Sequence, residues 1–495
     1  MKLIFKVIFI FLCTGTFANV TLPVIFCDNM VLQQNNNIAF WGTASPNEAI
    51  TIAVSWSKKT YSIKASETGT WKLDILTTKA SFQEHTISIK GNNSITINKV
   101  LLGEVWFSSG QSNMEWVMRR VKDAKKELSE SKYPNIRLFN ITKKIAETPQ
   151  VNFPNNCKWI PCDSISVKEF SAISYYFARE MHQKLNVPIG IITANWSGTG
   201  AECWTTAENN KNNPALKNLY VRWENWDLDR KKDSISFAEA KSKGIKIEEP
   251  QSVYMTNRPH RRPSVLYNGM VAPLIPYTVK GIIWYQGTSN REWANEYFEQ
   301  MKALITGWRK NWNKPDLPFY FLQLTAYKYS DSNLAAIIRE NQWKTLQIPN
   351  TAMCPTMDIG DLNDLHYPNK LPYGMRLANI ALANSYSKKI DFCGPLYSNY
   401  VIKNDSIEIT FKYNKELIIK GAILNDIFIA SGDKKFVKAQ AYIKNNKLIV
   451  FSQSIKAPVS VRYAWNNTDK ANLFNGSNLP ASPFRTDNWE NIIIE

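Results

Sequence analysis

A hydroxyl and an imidazole, far apart in the chain, are the residues of this sequence best suited to acyl-transfer chemistry. The pentad Gly110-Gln111-Ser112-Asn113-Met114 follows Val100–Phe107, a run with the β-branched and aromatic character of a buried strand. Polar turn residues from Ser108 to Gln111 then predict a change from strand to helix. Ser112 would stand at the helix N-terminus, where free backbone N–H groups and the helix dipole favour an anion, as in an acyl-transfer intermediate. Ser112 is therefore a candidate nucleophile for ester hydrolysis. The plainer alternative is a serine that merely caps the helix, since Ser is a favoured N-cap.

A serine hydrolase needs a base, and the chain has only four histidines, at 85, 182, 260 and 366. His85 falls in a strand-rich region and His182 on the polar side of an amphipathic helix, which suits structural or solvated roles. His260 sits in a basic, irregular segment with no strand to position it. His366 follows the last apolar strand of the central region and is the candidate base.

The elements that must position these groups are legible as a change of period. From Val20 to about Lys99, short alternating runs such as Ile50–Val54 and Tyr61–Ala65 predict an N-terminal β-sandwich-like module over 19–99. Over 100–392, apolar runs at 100–108, 187–194, 279–285, 318–324 and 351–359 alternate with helical stretches. That pattern predicts an α/β domain with a parallel sheet. Ile173, Phe177, Met181 and Leu185 share one helix face, as do Phe298, Met301, Ile305 and Trp308, and both faces suit cover for a sheet. The segment 206–262 reads as a polar, irregular elaboration, and alternation returns in a C-terminal β module over 393–495. In parallel sheets ligands bind beyond the carboxyl ends of the strands. Four loops there are rich in polar residues, carrying Ser112, then Asn195–Gly200, then Gln286–Asn290, then Asp358–His366.

With 495 residues, 44% hydrophobic and 12% aromatic, the chain is a folded protein of two or three domains. Lys2 and Lys6, the apolar stretch Val7–Leu12 and small residues up to Ala18 read as a signal peptide over 1–18, which predicts an exported, periplasmic or secreted protein. No apolar run is long enough to span a bilayer. Cys13 lacks the small residues that precede a lipoprotein cysteine. The remaining six cysteines are too sparse for a disulfide scaffold, although Cys157 and Cys162 could pair across a short loop. No spacing resembles a zinc site, so no metal is expected. The net charge of +18 is scattered, which argues for a solvated basic surface and against a nucleic-acid partner. Clusters such as His260-Arg261-Arg262 could still attract an acidic sugar.

The combination resembles the SGNH hydrolases, and more closely the sialate O-acetylesterase family of carbohydrate esterases. The resemblance is carried by Gly103–Trp106 leading into Ser109–Met114, by Trp284-Tyr285-Gln286-Gly287, and by Asp358–Asp361 with Asp364-Leu365-His366. The stretches Phe170–Thr199, Leu266–Pro276 and Tyr463–Asp487 share it, so it covers nearly the whole chain after residue 18. It implies a flavodoxin-like parallel-sheet domain that hydrolyses O-acetyl esters of sugars without a metal or organic cofactor. Ser112 would be acylated and His366 would take its proton. The oxyanion hole would combine the N–H groups of Ser112 and Gly198 with an amide from Gln286 or Asn290.

The chain departs from the family pattern at several places. Thr288 stands where a glutamate is usual and Ser197 where glycine is usual. Asn363 stands where the residue orienting the histidine is normally aspartate, which leaves Asp364 as the expected third member, Asp361 in reserve, or a Ser112–His366 dyad. Tyr367 separates His366 from Pro368. Thr288 would alter substrate contacts or weaken the enzyme. Arg339 could grip a carboxylate bidentately, as sialic acid would require, or form a structural ion pair. The expected substrate is O-acetylated sialic acid. The alternatives are acetylated xylan or another plant glycan, and a non-catalytic carbohydrate-binding protein whose 17 tryptophans stack on sugars.

Overall fold

A computed structural model describes residues 19–331 and 333–489; the signal-peptide reading and Cys13 lie outside them. At the centre is the strand Ser94–Gly110, whose burial changes along its length as its sequence does. Ser94 to Lys99 is largely exposed, whereas every residue from Val100 to Gly110 is buried. The first half pairs antiparallel with Ser81–Lys90, and the second half pairs parallel on both sides, with Ile189–Asn195 and Gly281–Tyr285. The strand-rich N-terminal region thus continues without a break into the central sheet, across position 100. The result is a mixed α/β fold with one eleven-stranded sheet and several smaller antiparallel ones.

All five strands expected from the apolar runs are present, and they lie in the order Thr351–Cys354, Phe319–Leu322, Gly281–Tyr285, Ser94–Gly110, Ile189–Asn195. Numbered along the chain this is the doubly wound order 2-1-3-4-5. Two further strands extend the edge beyond Ile189–Asn195, namely Tyr133–Asn140 and the antiparallel Trp159–Cys162.

Consecutive residues of a strand face opposite sides of a sheet, and Trp106 and Phe107 show it. Trp106 packs edge-on against Phe177 at 5.2 Å, in a core with the helices Ala172–Leu185 and Leu371–Tyr386; Phe107 packs on Trp308 at 5.4 Å, on the face covered by Tyr297–Trp312. Each fully buried side chain of this size contributes about 1.5–3 kcal/mol by leaving water. Ser171 caps the Ala172–Leu185 helix by accepting the Ser174 N–H at 3.2 Å, and Asn186, at φ +53°, ends it.

The segment expected to be irregular is instead largely helical, with Ala207–Lys211, the 26-residue Lys217–Ser242 and Gln251–Thr256. The long helix buries only Leu219 and Trp223, so it lacks the apolar stripe by which an amphipathic helix is read. Cys157 and Cys162 are buried free thiols. Among the described residues no helix is long and apolar enough to cross a membrane.

Candidate active site

Asn195 and Tyr285 both lie in register with Gly110, so three loops leave the sheet at one level. Between Ser94–Gly110 and Gly281–Tyr285 the strand order reverses, which is where a doubly wound sheet opens a ligand crevice. Ser112 follows the first of these strands and Gln286–Asn290 the second. Gly110 is required here by close approach, since a Cβ at this position would collide with the Tyr285 carbonyl.

The N-cap of the Ser112–Glu115 helix is Gln111, and no side chain caps it. Ser112 is the first helical residue, so the plainer reading, in which its hydroxyl serves as the cap, does not describe this structure. The helix has a single turn, and the expected dipole contribution shrinks with it. What remains is a pair of backbone donors. Among the described residues, neither the Ser112 nor the Gly198 N–H donates to a protein acceptor.

The turn is held on every side. Gln111 Oε1 accepts the N–H groups of Gly287 and Ser289 at 3.2 and 3.3 Å, and Ser171 Oγ donates to the Met114 carbonyl at 2.6 Å. Glu115 accepts the backbone N–H and the hydroxyl of Ser197 and pairs with Lys143. This fixes Gly198, at φ +73°, beside the Ser112 turn.

The His366 loop leaves the edge strand Thr351–Cys354, three strand positions from Ser94–Gly110, a span of about 14 Å. Twelve residues, 355–366, cover that distance. Asn113 Nδ2 donates to the Leu365 carbonyl at 3.0 Å, and Trp116 stacks on the His366 ring at 5.7 Å and 13°. A residue of the Ser112 helix, Asn113, and the residue that ends it, Trp116, therefore grip the histidine loop. The Nε2 atom of His366 is buried and without a hydrogen-bond partner. Burial, and then the charge of Lys370, push the His366 pKa down, while Asp364 opposes them. Lys370 donates to Asn113 Oδ1 at 2.5 Å, and burial brings its own pKa down to about 7.

The carboxylates around His366 do not bond its ring. Asp364 Oδ1 accepts the His366 backbone N–H at 2.9 Å, Asp361 Oδ1 accepts that of Asn363 at 2.7 Å, and Asp358 forms a bidentate pair with Arg376. Asp364 thus holds the loop and supplies charge.

Gln286 and Asn290 differ in what they have left to donate. Gln286 Nε2 is spent on the Thr199 carbonyl and on Asn290 Oδ1, at 3.2 and 2.7 Å. Asn290 Nδ2 donates once, to Glu202 Oε2 at 2.8 Å, and one N–H remains. Burial raises the pKa of Glu202.

Thr288 lines a cavity of about 310 Å³ that Gly198 also lines. Arg339 does not reach it. This guanidinium is fully buried, donates to the Asn466 carbonyl at 2.6 Å, and has its pKa lowered to about 10 by desolvation. The expectation that Arg339 binds substrate is corrected accordingly: it joins the Leu334–Lys344 helix to the C-terminal region. Of the other histidines, His85 contacts Ser55, His182 bonds the Val187 carbonyl at 2.7 Å, and His260 stacks on Trp196 at 4.9 Å. Among the described residues no cluster of three His, Cys, Asp or Glu side chains is arranged to hold a metal.

Glu115, Asn113, Trp116, Lys370 and Glu202 surround the candidate site, and the motif reading gave none of them a role. Three of them are in or directly beside the pentad, and that adjacency was the available signal.

Known proteins bear on this geometry. Residues 254–383 match the family described as carbohydrate esterase, sialic acid-specific acetylesterase. The chain is 25% identical to the sialate O-acetylesterase of Mus musculus, with 93% of each chain covered. It is 26% identical to that of Homo sapiens, over 92% of this chain and 90% of the relative. Among solved structures, a carbohydrate acetylesterase from Xanthomonas citri aligns with a TM-score of 0.82 at 31% identity, covering 95% of this chain and 100% of the other.

Proposed function

The chain belongs to the sialate O-acetylesterase family of carbohydrate esterases, and from that premise we propose that it deacetylates O-acetylated sialic acid through an acyl-enzyme on Ser112. That it is a carbohydrate O-acetylesterase, a carboxylic ester hydrolase, follows from the same relatives. The observation that carries the mechanism is the grip of Asn113 and Trp116 on Leu365 and His366, which ties the candidate nucleophile to the candidate base.

In this reading Ser112 Oγ adds to the acetyl carbonyl as its proton passes to His366 Nε2. The oxyanion that forms is met by the N–H groups of Ser112 and Gly198 and by the free N–H of Asn290. Gln286 acts behind Asn290, fixing its amide. His366 then gives its proton to the departing sugar oxygen, which leaves the acetyl group on Ser112. Water attacks the acetyl-enzyme as His366 takes its proton, and His366 returns that proton to Ser112 Oγ as the acyl–oxygen bond breaks and acetate departs. Asp364 supports His366 through its backbone and by charge.

The N-terminal reading of residues 1–18 supports placing this reaction outside the cytoplasm, in the periplasm or medium. The strand-rich regions before and after the central domain are read as β-sandwich-like modules that brace it. Acetate release from O-acetylated sialic acid, acetylated xylan and an aryl acetate tests the substrate. Preference for the sialic acid is the expected result. The Xanthomonas citri neighbour is named for carbohydrate rather than for sialate, and release from xylan alone would move the substrate to a plant glycan while leaving the chemistry in place.

A further inference from the structure

Beside Gly198, among the described residues, the structure holds a cation that no carboxylate answers. Arg261 lies in the cluster His260-Arg261-Arg262, at the end of the helical insertion, and it lines the 310 Å³ cavity that Gly198 and Thr288 share. Its guanidinium packs against Gly198 so closely that a Cβ there would stand 2.7 Å from Nη2. Its guanidinium carbon lies over the Tyr254 ring, 4.7 Å from the centroid, Nη1 touches the Met255 sulfur at 3.7 Å, and Nε is buried with no partner. Among the described residues, no carboxylate comes within 4.0 Å of it.

The neighbouring arginines are engaged. Arg262 pairs with Asp227 and Arg258 with Glu249 at 3.4 Å, while Arg291, across the cavity, pairs with Asp331. The acidic groups of the cavity are also met: Glu249 by Arg258, Glu202 by Asn290, and the exposed Glu292 by Gln251 at 3.1 Å. Arg261 is left as the unanswered charge. A guanidinium offers donors in a fixed fork that matches a carboxylate.

We propose that this cavity is the sugar subsite and that Arg261 is its specificity-determining residue, taking the carboxylate of an acidic sugar while the acetyl ester reaches Ser112. The proposal rests on the esterase reading above and deepens it, for it explains discrimination against neutral sugars. A neutral sugar in the same place would leave the guanidinium desolvated and unpaired, which disfavours it. The Tyr254 ring, which Arg258 also overlies at 3.8 Å, helps hold the cation in place before substrate arrives. The insertion would thereby have a function: its last helix and the turn after it form one wall of the subsite.

The test is competition against aryl acetate hydrolysis by N-acetylneuraminic acid and by its methyl ester, in wild type, Arg261→Gln and Arg261→Lys. Wild type should bind the acid about tenfold or more tightly than the ester. Arg261→Gln should bring that ratio to about one, and Arg261→Lys should restore part of it. Glucuronic acid and its methyl ester form a second pair. Ratios near one for both pairs in wild type, or a ratio that survives in Arg261→Gln, overturn the proposal. If the glutamine variant loses aryl acetate hydrolysis, calorimetric titration of the same pairs into Ser112→Ala and Ser112→Ala/Arg261→Gln gives the ratio directly. Failure to release acetate from O-acetylated sialic acid would sink the substrate reading instead, while the acid-to-ester ratio would still decide Arg261.

Discussion

Glu115 accepts both the backbone N–H of Ser197, at 2.6 Å, and its hydroxyl, at 2.8 Å. The last residue of the candidate nucleophile's helix thereby fixes the loop that presents Gly198, one of the two unpaired N–H donors beside Ser112. Misplacing a catalytic group by an ångström is costly. Glu115→Ala should lower kcat on the order of 10- to 100-fold with a smaller change in KM, whereas Ser197→Ala, which keeps the backbone bond, should cost much less. Steady-state kinetics with an aryl acetate separates the two, and equal losses would argue against a positioning role for Glu115.

Asn290 and Gln286 are distinguishable by the same means. In the proposed mechanism Asn290 donates its remaining N–H to the oxyanion, so Asn290→Ala should cost about 100-fold or more in kcat. Gln286→Ala should cost less, since its own N–H groups are spent within the protein. A larger loss for Gln286 would exchange their roles.

The acid limb of the kcat/KM profile reports the base. A base must be neutral to accept the serine proton, and burial and Lys370 both depress the His366 pKa, so the limb should fall below the ordinary histidine value of about 6.5. Lys370 has its pKa brought down to about 7, so over that range it is cationic and repels the imidazolium. Lys370→Met removes the repulsion, His366 protonates more readily, and the limb should move to higher pH. A limb that stays in place would mean that Lys370 does not act on His366.

Arg339 and Arg261 should separate cleanly. Arg339→Met loses the bond to the Asn466 carbonyl and should destabilise the fold by about 1–3 kcal/mol, read as a lower midpoint of unfolding. The preference for an acid over its ester should be retained. Loss of that preference in Arg339→Met would return Arg339 to the substrate.

The five parallel strands were legible because each is a continuous apolar run. Tyr133–Asn140 was not, since its Pro134 and Asn135 break the pattern, and its buried Arg137 is acceptable only because Asn29 and Glu84 meet it at 2.7 and 3.0 Å. The Lys217–Ser242 helix escaped for the opposite reason, having charged helix formers and almost no buried face. Serine and histidine could be chosen from motif and strand end alone. The burial of Arg339 could not, because its partner lies 127 residues away. The free charge of Arg261 is likewise a property of which carboxylates its neighbours capture, and spacing along the chain does not reveal that.

The most direct test of the account is acetate release by purified wild type and Ser112→Ala, with matched folding checked by circular dichroism. The account predicts turnover of O-acetylated sialic acid and aryl acetate by wild type, and a loss of several orders of magnitude in the variant. Undiminished release by Ser112→Ala would contradict it, and no release by wild type from any acetyl ester would leave a carbohydrate-binding protein in its place.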